Sequence, residues 1–320
     1  MMRLAAFALA FALAAPAAGA ERLRFGTWNL EWMMLPTTFD ALAGHCLAPE
    51  RRAGGRDRAI PCDLVPAARW SAKDLARLRA FAAAAELDVI ALQEIDGLGV
   101  ARRLFPQHVF CFTGRHHVQN VGFAIRRGIP HRCDRDYRAL GLPDDDVRRG
   151  ADLTLYPGTD RAIRLLAVHL KSACHSDPLS EPRGACRQLQ QQVPILENWI
   201  DRRARAGNAF AVIGDFNRRL DNEGKTARDA QGRIVAMWPE ISDGDPAGAT
   251  LVNAGAGHGA IACGNRYGPR QPIDHFVLGQ RLASALVPDS YRAWSYPAGP
   301  RWPDHCLLTI ELEPERLHGL

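Results

Sequence analysis

Asp215 and Asn217 stand two residues apart at the close of the apolar run Ala-Val-Ile-Gly-Asp-Phe-Asn. If the extended path continues, that spacing turns both side chains to the same side of the chain. Five other apolar runs carry comparable groups at their ends. Asn29 ends Thr-Trp-Asn, Glu94 ends Asp-Val-Ile-Ala-Leu-Gln-Glu, and His169 lies in Leu-Leu-Ala-Val-His-Leu-Lys-Ser. Asp274 and His275 sit in Pro-Ile-Asp-His-Phe-Val-Leu, and Asp304 with His305 precedes Cys-Leu-Leu. Singly, each has an ordinary reading as a turn residue, a helix cap or a satisfied histidine. Jointly they place metal-ligating and proton-handling groups at six strand ends, where scaffolds carry functional side chains. The implied chemistry is metal binding or proton handling.

The elements that must hold these groups follow from periodicity. Short apolar runs predict strands at about Leu23–Trp28, Asp88–Gln93, His108–Phe112, Val121–Ile125 and Asp152–Tyr156. Further strands are expected at Ile163–Leu170, Phe210–Gly214, Ile273–Leu278 and Leu307–Leu312. Ser71 with Asp74 three residues on is an N-cap signature for a helix running to about Glu86. A second helix is expected over roughly Arg187 to Arg203, with Leu189, Val193, Leu196 and Ile200 on one face and a kink at Pro194. Residues 36–69, rich in Pro, Gly and Arg, read as a long loop. Interleaved helices and strands without repeats indicate an α/β fold in one continuous domain, residues 21–320.

Residues 1–20 read as a signal peptide: Arg3, an apolar stretch from Leu4 to Ala15, then Ala18-Gly19-Ala20 before Glu21. The run is short for a membrane span and is broken by Pro16. Export, to a secreted or periplasmic location, accounts for eight cysteines as disulfides. Sequential pairing, Cys46–Cys62, Cys111–Cys133, Cys174–Cys186 and Cys263–Cys306, is the simplest arrangement. A zinc site would need closely spaced pairs such as Cys-x-x-Cys, and the sequence has none. The net charge of +5 favours a polyanionic partner without identifying one.

The ordered set Thr-Trp-Asn, Leu-Gln-Glu, Val-His-Leu-Lys-Ser, Gly-Asp-Phe-Asn, Pro-Ile-Asp-His-Phe-Val-Leu and Pro-Asp-His resembles the endonuclease/exonuclease/phosphatase superfamily, which includes deoxyribonuclease I, exonuclease III and neutral sphingomyelinases. The likeness runs from about Arg24 to Glu311. It implies a four-layer α/β sandwich, two packed mixed β-sheets flanked by helices. It also implies that Asn29 and Glu94 hold Mg²⁺ (Mn²⁺ or Ca²⁺ being alternatives), with Asp304 completing or supporting the site. His305 becomes the general base, oriented by Asp274. Asp215 and Asn217 position water and the phosphoryl oxygen, and His169 stabilises the phosphate. Arg148 and Arg149 stand where the family often places a phosphate-contacting arginine. Pro303 replaces the serine usual before the final Asp-His.

The substrate is less legible. Arg115, His116, Arg126 and Arg127 suggest a basic rim, and Tyr291, Trp294, Tyr296 and Trp302 suggest stacking on bases, contact with lipid, or core packing. The expectation is an exported nuclease acting on DNA, with RNA possible, leaving a 5′-phosphate. The alternatives are a sphingomyelinase-like phosphodiesterase acting on membrane lipid, a small-molecule phosphatase, and a non-catalytic nucleic-acid or lipid-binding protein on the same fold. No protein partner is implied, and a monomer is expected.

Overall fold

In a computed structural model, the described residues are 22–44, 69–115, 117–143 and 147–318. The expected signal peptide, the Cys46–Cys62 pairing and His116 lie outside them.

Strand β1 (Leu23–Met33) is followed by α1 (Pro36–Ala43) and α2 (Ala72–Ala84). Then come β2 (Val89–Ile95), α3 (Leu98–Leu104), β3 (His108–Phe112), β4 (Asn120–Arg126), β5 (His131–Cys133), β6 (Ala151–Leu155) and β7 (Ile163–His169). Helix α4 (Gly184–Arg205) leads to β8 (Ala209–Asp215), β9 (Leu251–Asn253), β10 (Asp274–Gly279), β11 (Arg292–Ala293) and β12 (Leu308–Leu312). The strands form two six-stranded sheets, ordered β11-β12-β1-β2-β4-β3 and β5-β6-β7-β8-β10-β9. The pairs β1–β2 and β7–β8 are parallel, and the other paired strands are antiparallel. This is the mixed, helix-flanked sandwich that the sequence implies.

Strand alternation builds the layers. In β7, Leu165 and Ala167 join the core between the sheets, while Leu166 and Val168 pack with Leu189, Val193, Leu196 and Ile200 of α4. In β8, Ala211 and Ile213 face the other sheet, and Phe210 and Val212 face α4. Burying each large apolar side chain contributes about 1.5–3 kcal/mol. The expected helical face is therefore the buried one, and α4 continues through Pro194 over 22 residues. Helix α2 carries the expected capping box, with Ser71 accepting from the Asp74 N–H.

One expectation changes. Part of the 36–69 segment is helical: Pro36 opens α1, where its missing N–H costs nothing, and Phe39 anchors the helix by burial. Of the aromatic alternatives, core packing holds for Tyr296 and Trp302, which stack on each other beside Trp28 and Phe81.

Three disulfides follow the sequential pairing. Cys111–Cys133 ties β3 of one sheet to β5 of the other, Cys174–Cys186 pins the loop after β7 to α4, and Cys263–Cys306 fastens the loop before β10 to the residue following His305.

Candidate active site

The topology explains why six separated motifs meet. Each parallel pair presents the carboxyl ends of its strands, bringing Asn29 beside Glu94 and His169 beside Asp215. The antiparallel neighbours contribute their beginnings at the same edge: Asp274 opens β10 opposite Asp215, and Asp304 and His305 precede β12. His169 and Asp215 continue the alternation of Leu165–Ala167 and Ala211–Ile213, so both point between the sheets. The site is the open end of the inter-sheet core.

Backbone irregularities aim the side chains. The β1–β2 register shifts between Asn29 and Met33, and the β2–β4 register shifts between Leu92 and Ile95. Glu31 (φ 49°), Trp32 (φ 54°), Glu94 (φ 54°) and Asn217 (φ 53°) occupy the left-handed region. Such conformations cost free energy and persist only where the surroundings hold them. Gly214, at φ 141°, lets β8 approach β7, since a Cβ there would collide with the Val168 carbonyl oxygen and crowd Gln93.

His305 Nδ1 lies 2.6 Å from Asp274 Oδ2, and its Nε2 faces Asp215 Oδ2 at 3.8 Å. With Nδ1–H donating to Asp274, Nε2 is the nitrogen free to accept a proton. Burial opposes the imidazolium, but Asp274 and Asp215 outweigh it and hold the pKa well above the ordinary histidine value. Burial pushes Asp215 up to about 7, partly offset by His305. Asp215 Oδ1 accepts the Asn217 N–H at 2.8 Å, and the Asn217 amide donates to Leu170 O at 3.1 Å.

His169 Nε2 lies 3.4 Å from Asp215 Oδ2 and 3.7 Å from Glu94 Oε1. Burial, then Arg148 and His305, drive its pKa well below normal, so it is neutral. Arg148 donates from Nε to His169 O at 3.1 Å and from Nη2 to Leu170 O, and burial lowers its pKa to about 10. Glu94 and Asp215 are close enough to favour its charge. Arg149 turns instead to Asp136, 3.5 Å away. Arg115 is close enough to depress His169 further. Arg126 is remote: β4 runs antiparallel to β2, so its last residue lies at the opposite edge, paired with Asp88 at 2.6 Å.

Three carboxylates gather on the other side. Glu94 accepts from the Trp32 N–H at 3.1 Å and from Asn29 Nδ2 at 3.3 Å, and burial, with Asp304 adding, raises its pKa. Glu31 escaped sequence reasoning, although it stands two residues after Asn29. It is buried, Oε2 has no hydrogen-bond partner, and burial and Asp304 raise its pKa against Arg266 and Arg301. Arg266 reaches Glu31 at 2.6 Å and Asp304 at 3.8 Å. Carboxylates crowded at low dielectric favour a cation, and their oxygens suit a hard one. Asn29 Nδ2 also donates to Asp215 at 3.0 Å, while its Oδ1 accepts the Glu31 N–H at 3.0 Å. The amide thus braces both halves of the site.

Solved structures share this architecture. Truncated TDP2 from Caenorhabditis elegans matches with a TM-score of 0.54 at 13% identity, over 91% of this chain and 98% of that one. TDP2 from D. rerio, complexed with a single-strand DNA product, gives 0.54 at 15% identity over 91% and 98%. The AP endonuclease LMAP from Leishmania major gives 0.52 at 19% identity over 91% and 88%. No curated protein matches in sequence. The model of the Endonuclease/Exonuclease/phosphatase family matches residues 26–317, nearly the whole of the sandwich with all six motifs, and the chain belongs to that family.

Proposed function

We propose that the chain is an exported, Mg²⁺-dependent phosphodiesterase that hydrolyses nucleic acid, with His305 activating the attacking water. One observation carries the reading: the 2.6 Å Asp274–His305 contact, whose free nitrogen faces Asp215 beside the Glu94, Glu31 and Asp304 carboxylates. Neutral His305 takes the water's proton at Nε2, and Asp274 fixes the ring and stabilises the imidazolium. Asp215 orients the water. The Asn217 amide and the His169 Nε2–H support the phosphoryl oxygen, and Arg148 supplies positive charge.

Glu94 and Asp304 would hold Mg²⁺, with the second lone pair of Asn29 Oδ1 and the unpartnered Glu31 oxygen as further donors. Bound there, the ion supplies charge neutralisation for a phosphate that otherwise repels its nucleophile. Residues 21–320 form the catalytic domain. Three disulfides support an oxidising destination. No described helix is long and apolar enough to cross a membrane.

Nicking of supercoiled plasmid tests the reading, with Mg²⁺, with EDTA, and with the His305→Ala variant. Mg²⁺-dependent nicking lost in the variant is expected. Failure on plasmid and single-stranded DNA and RNA, together with hydrolysis of sphingomyelin or a phosphomonoester, overturns the nuclease reading.

A further inference from the structure

Beside His305, on the side of the loop before β10, lies a cavity of about 110 Å³ lined by Arg219, Arg270, His175, Asn265 and Asp304 among others. Sites that enclose a whole small molecule occupy roughly 300–1,000 Å³. This cavity suits one compact group, and its charge indicates which sign.

Its two carboxylates are committed: Asp274 holds His305, and Asp304 lies against Arg266 and the cation-favouring cluster. The two arginines are not. Among the described residues neither Arg219 nor Arg270 has a carboxylate at ion-pair distance. Arg219 Nη1 donates to Ser176 Oγ at 3.1 Å, and its Nε is buried without an acceptor. Arg270 stacks on Tyr267 with its guanidinium carbon 3.6 Å from the ring centroid. Its backbone pairs both ways with Ile261, and Cys263–Cys306 joins that loop to the residue after His305. His175 gives Nδ1 to the Asn217 carbonyl at 3.0 Å, and burial keeps the ring neutral. Two ordered guanidinium groups without counter-charges, next to a phosphate-hydrolysing centre, suit a phosphate oxyanion.

We propose that this cavity is a second-phosphate subsite, in which Arg219 and Arg270 bind the phosphate adjacent to the scissile one. The inference rests on the phosphodiesterase reading and deepens it, since it selects a polynucleotide. A choline head group would meet two arginines here, and the Tyr267 ring already carries Arg266 and Arg270.

Calorimetry on the Mg²⁺-loaded protein tests the subsite without turnover, by comparing thymidine 3′,5′-bisphosphate with the 5′-monophosphate and the 3′-monophosphate. The bisphosphate should bind about tenfold or more tightly than either monophosphate, as one added charge-assisted contact allows. Arg219→Gln with Arg270→Gln should collapse that ratio towards one, and Arg270→Lys should keep part of it. Because Arg270 is exposed, Arg270→Gln alone gives a second variant should the double variant fold poorly. Equal affinities in the parent protein, or a ratio the variants leave intact, would overturn the subsite. A bisphosphate advantage in a protein that cuts neither DNA nor RNA defeats the nuclease reading alone. Nicking without that advantage defeats the subsite alone.

Discussion

The two ends of the same strands use the same kinds of residue in opposite ways. At the end where β1 begins, Arg24 pairs with Glu311 at 2.8 Å, Arg22 with Glu313 at 2.8 Å, and Arg126 with Asp88 at 2.6 Å. At the other end burial, with Asp304 adding, raises the pKa of both Glu94 and Glu31, and Arg219 and Arg270 line the smaller cavity. The paired end holds the roomier hollow, about 820 Å³, lined by Arg22, Arg24, Asp88, Arg126 and Glu311. Size therefore does not mark the site; the gathering of carboxylates and imidazoles around His305 does. Neutralised charges hold strands together, whereas charges left open are available to a cation, a proton or a phosphate.

Four substitutions sharpen or break this contrast. The largest effect is expected from His305→Ala, which should lower the single-turnover rate by about 10²–10⁴-fold. A rate within threefold of the parent would remove His305 as the base. Next, Asp274→Asn should lower the plateau of kcat/KM by about 10²-fold and move its acid limb to lower pH. The sign follows from the raised His305 pKa: catalysis needs the neutral ring, which forms only as pH rises through that value. Removing a carboxylate that holds the pKa up allows neutrality at lower pH. An acid limb that stays put, in a pH–rate profile, assigns that limb to another group.

Gly214→Ala should cost about 2–3 kcal/mol in urea denaturation, because its Cβ meets the Val168 backbone. The smallest effect belongs to the paired end. Arg126→Gln leaves Asp88 without its ion pair, but Arg126 is half exposed and solvent screens it. We expect a loss of less than about 1 kcal/mol and unaltered nicking. A large fall in activity from that change would erase the distinction between the ends.

Much of this was legible from local pattern. Glu94, Asp215 and Asp274 stand at the ends of apolar runs, and alternation along β7 and β8 predicts which face His169 and Asp215 share. The capping box of α2 and the apolar face of α4 were readable for the same reason, since both depend on short-range spacing. What escaped depends on departures from regularity or on distant closure. Glu31 looks like one more residue of a strand, and only the register shift and its positive φ turn it into the carboxylate cluster. Arg126 resembled a rim residue because strand direction is invisible before the sheet order is known. Arg219 and Arg270 lie in polar loops without periodicity, and sequence spacing gives no sign that they line one cavity. Tyr296 and Trp302 were left open between a binding surface and core packing, and the packing places both in the core.

The Cys263–Cys306 bridge has a consequence in time as well as in space. Cys306 is the neighbour of His305, and Cys263 belongs to the loop that carries Arg266 and Arg270. One oxidation event thus ties His305 and the loop of Arg266 and Arg270 together. A newly made chain with two free thiols there has every residue of the site but not the covalent tie between its two walls. Joining these two segments is in this sense a covalent step separate from folding, and one that an oxidising environment completes.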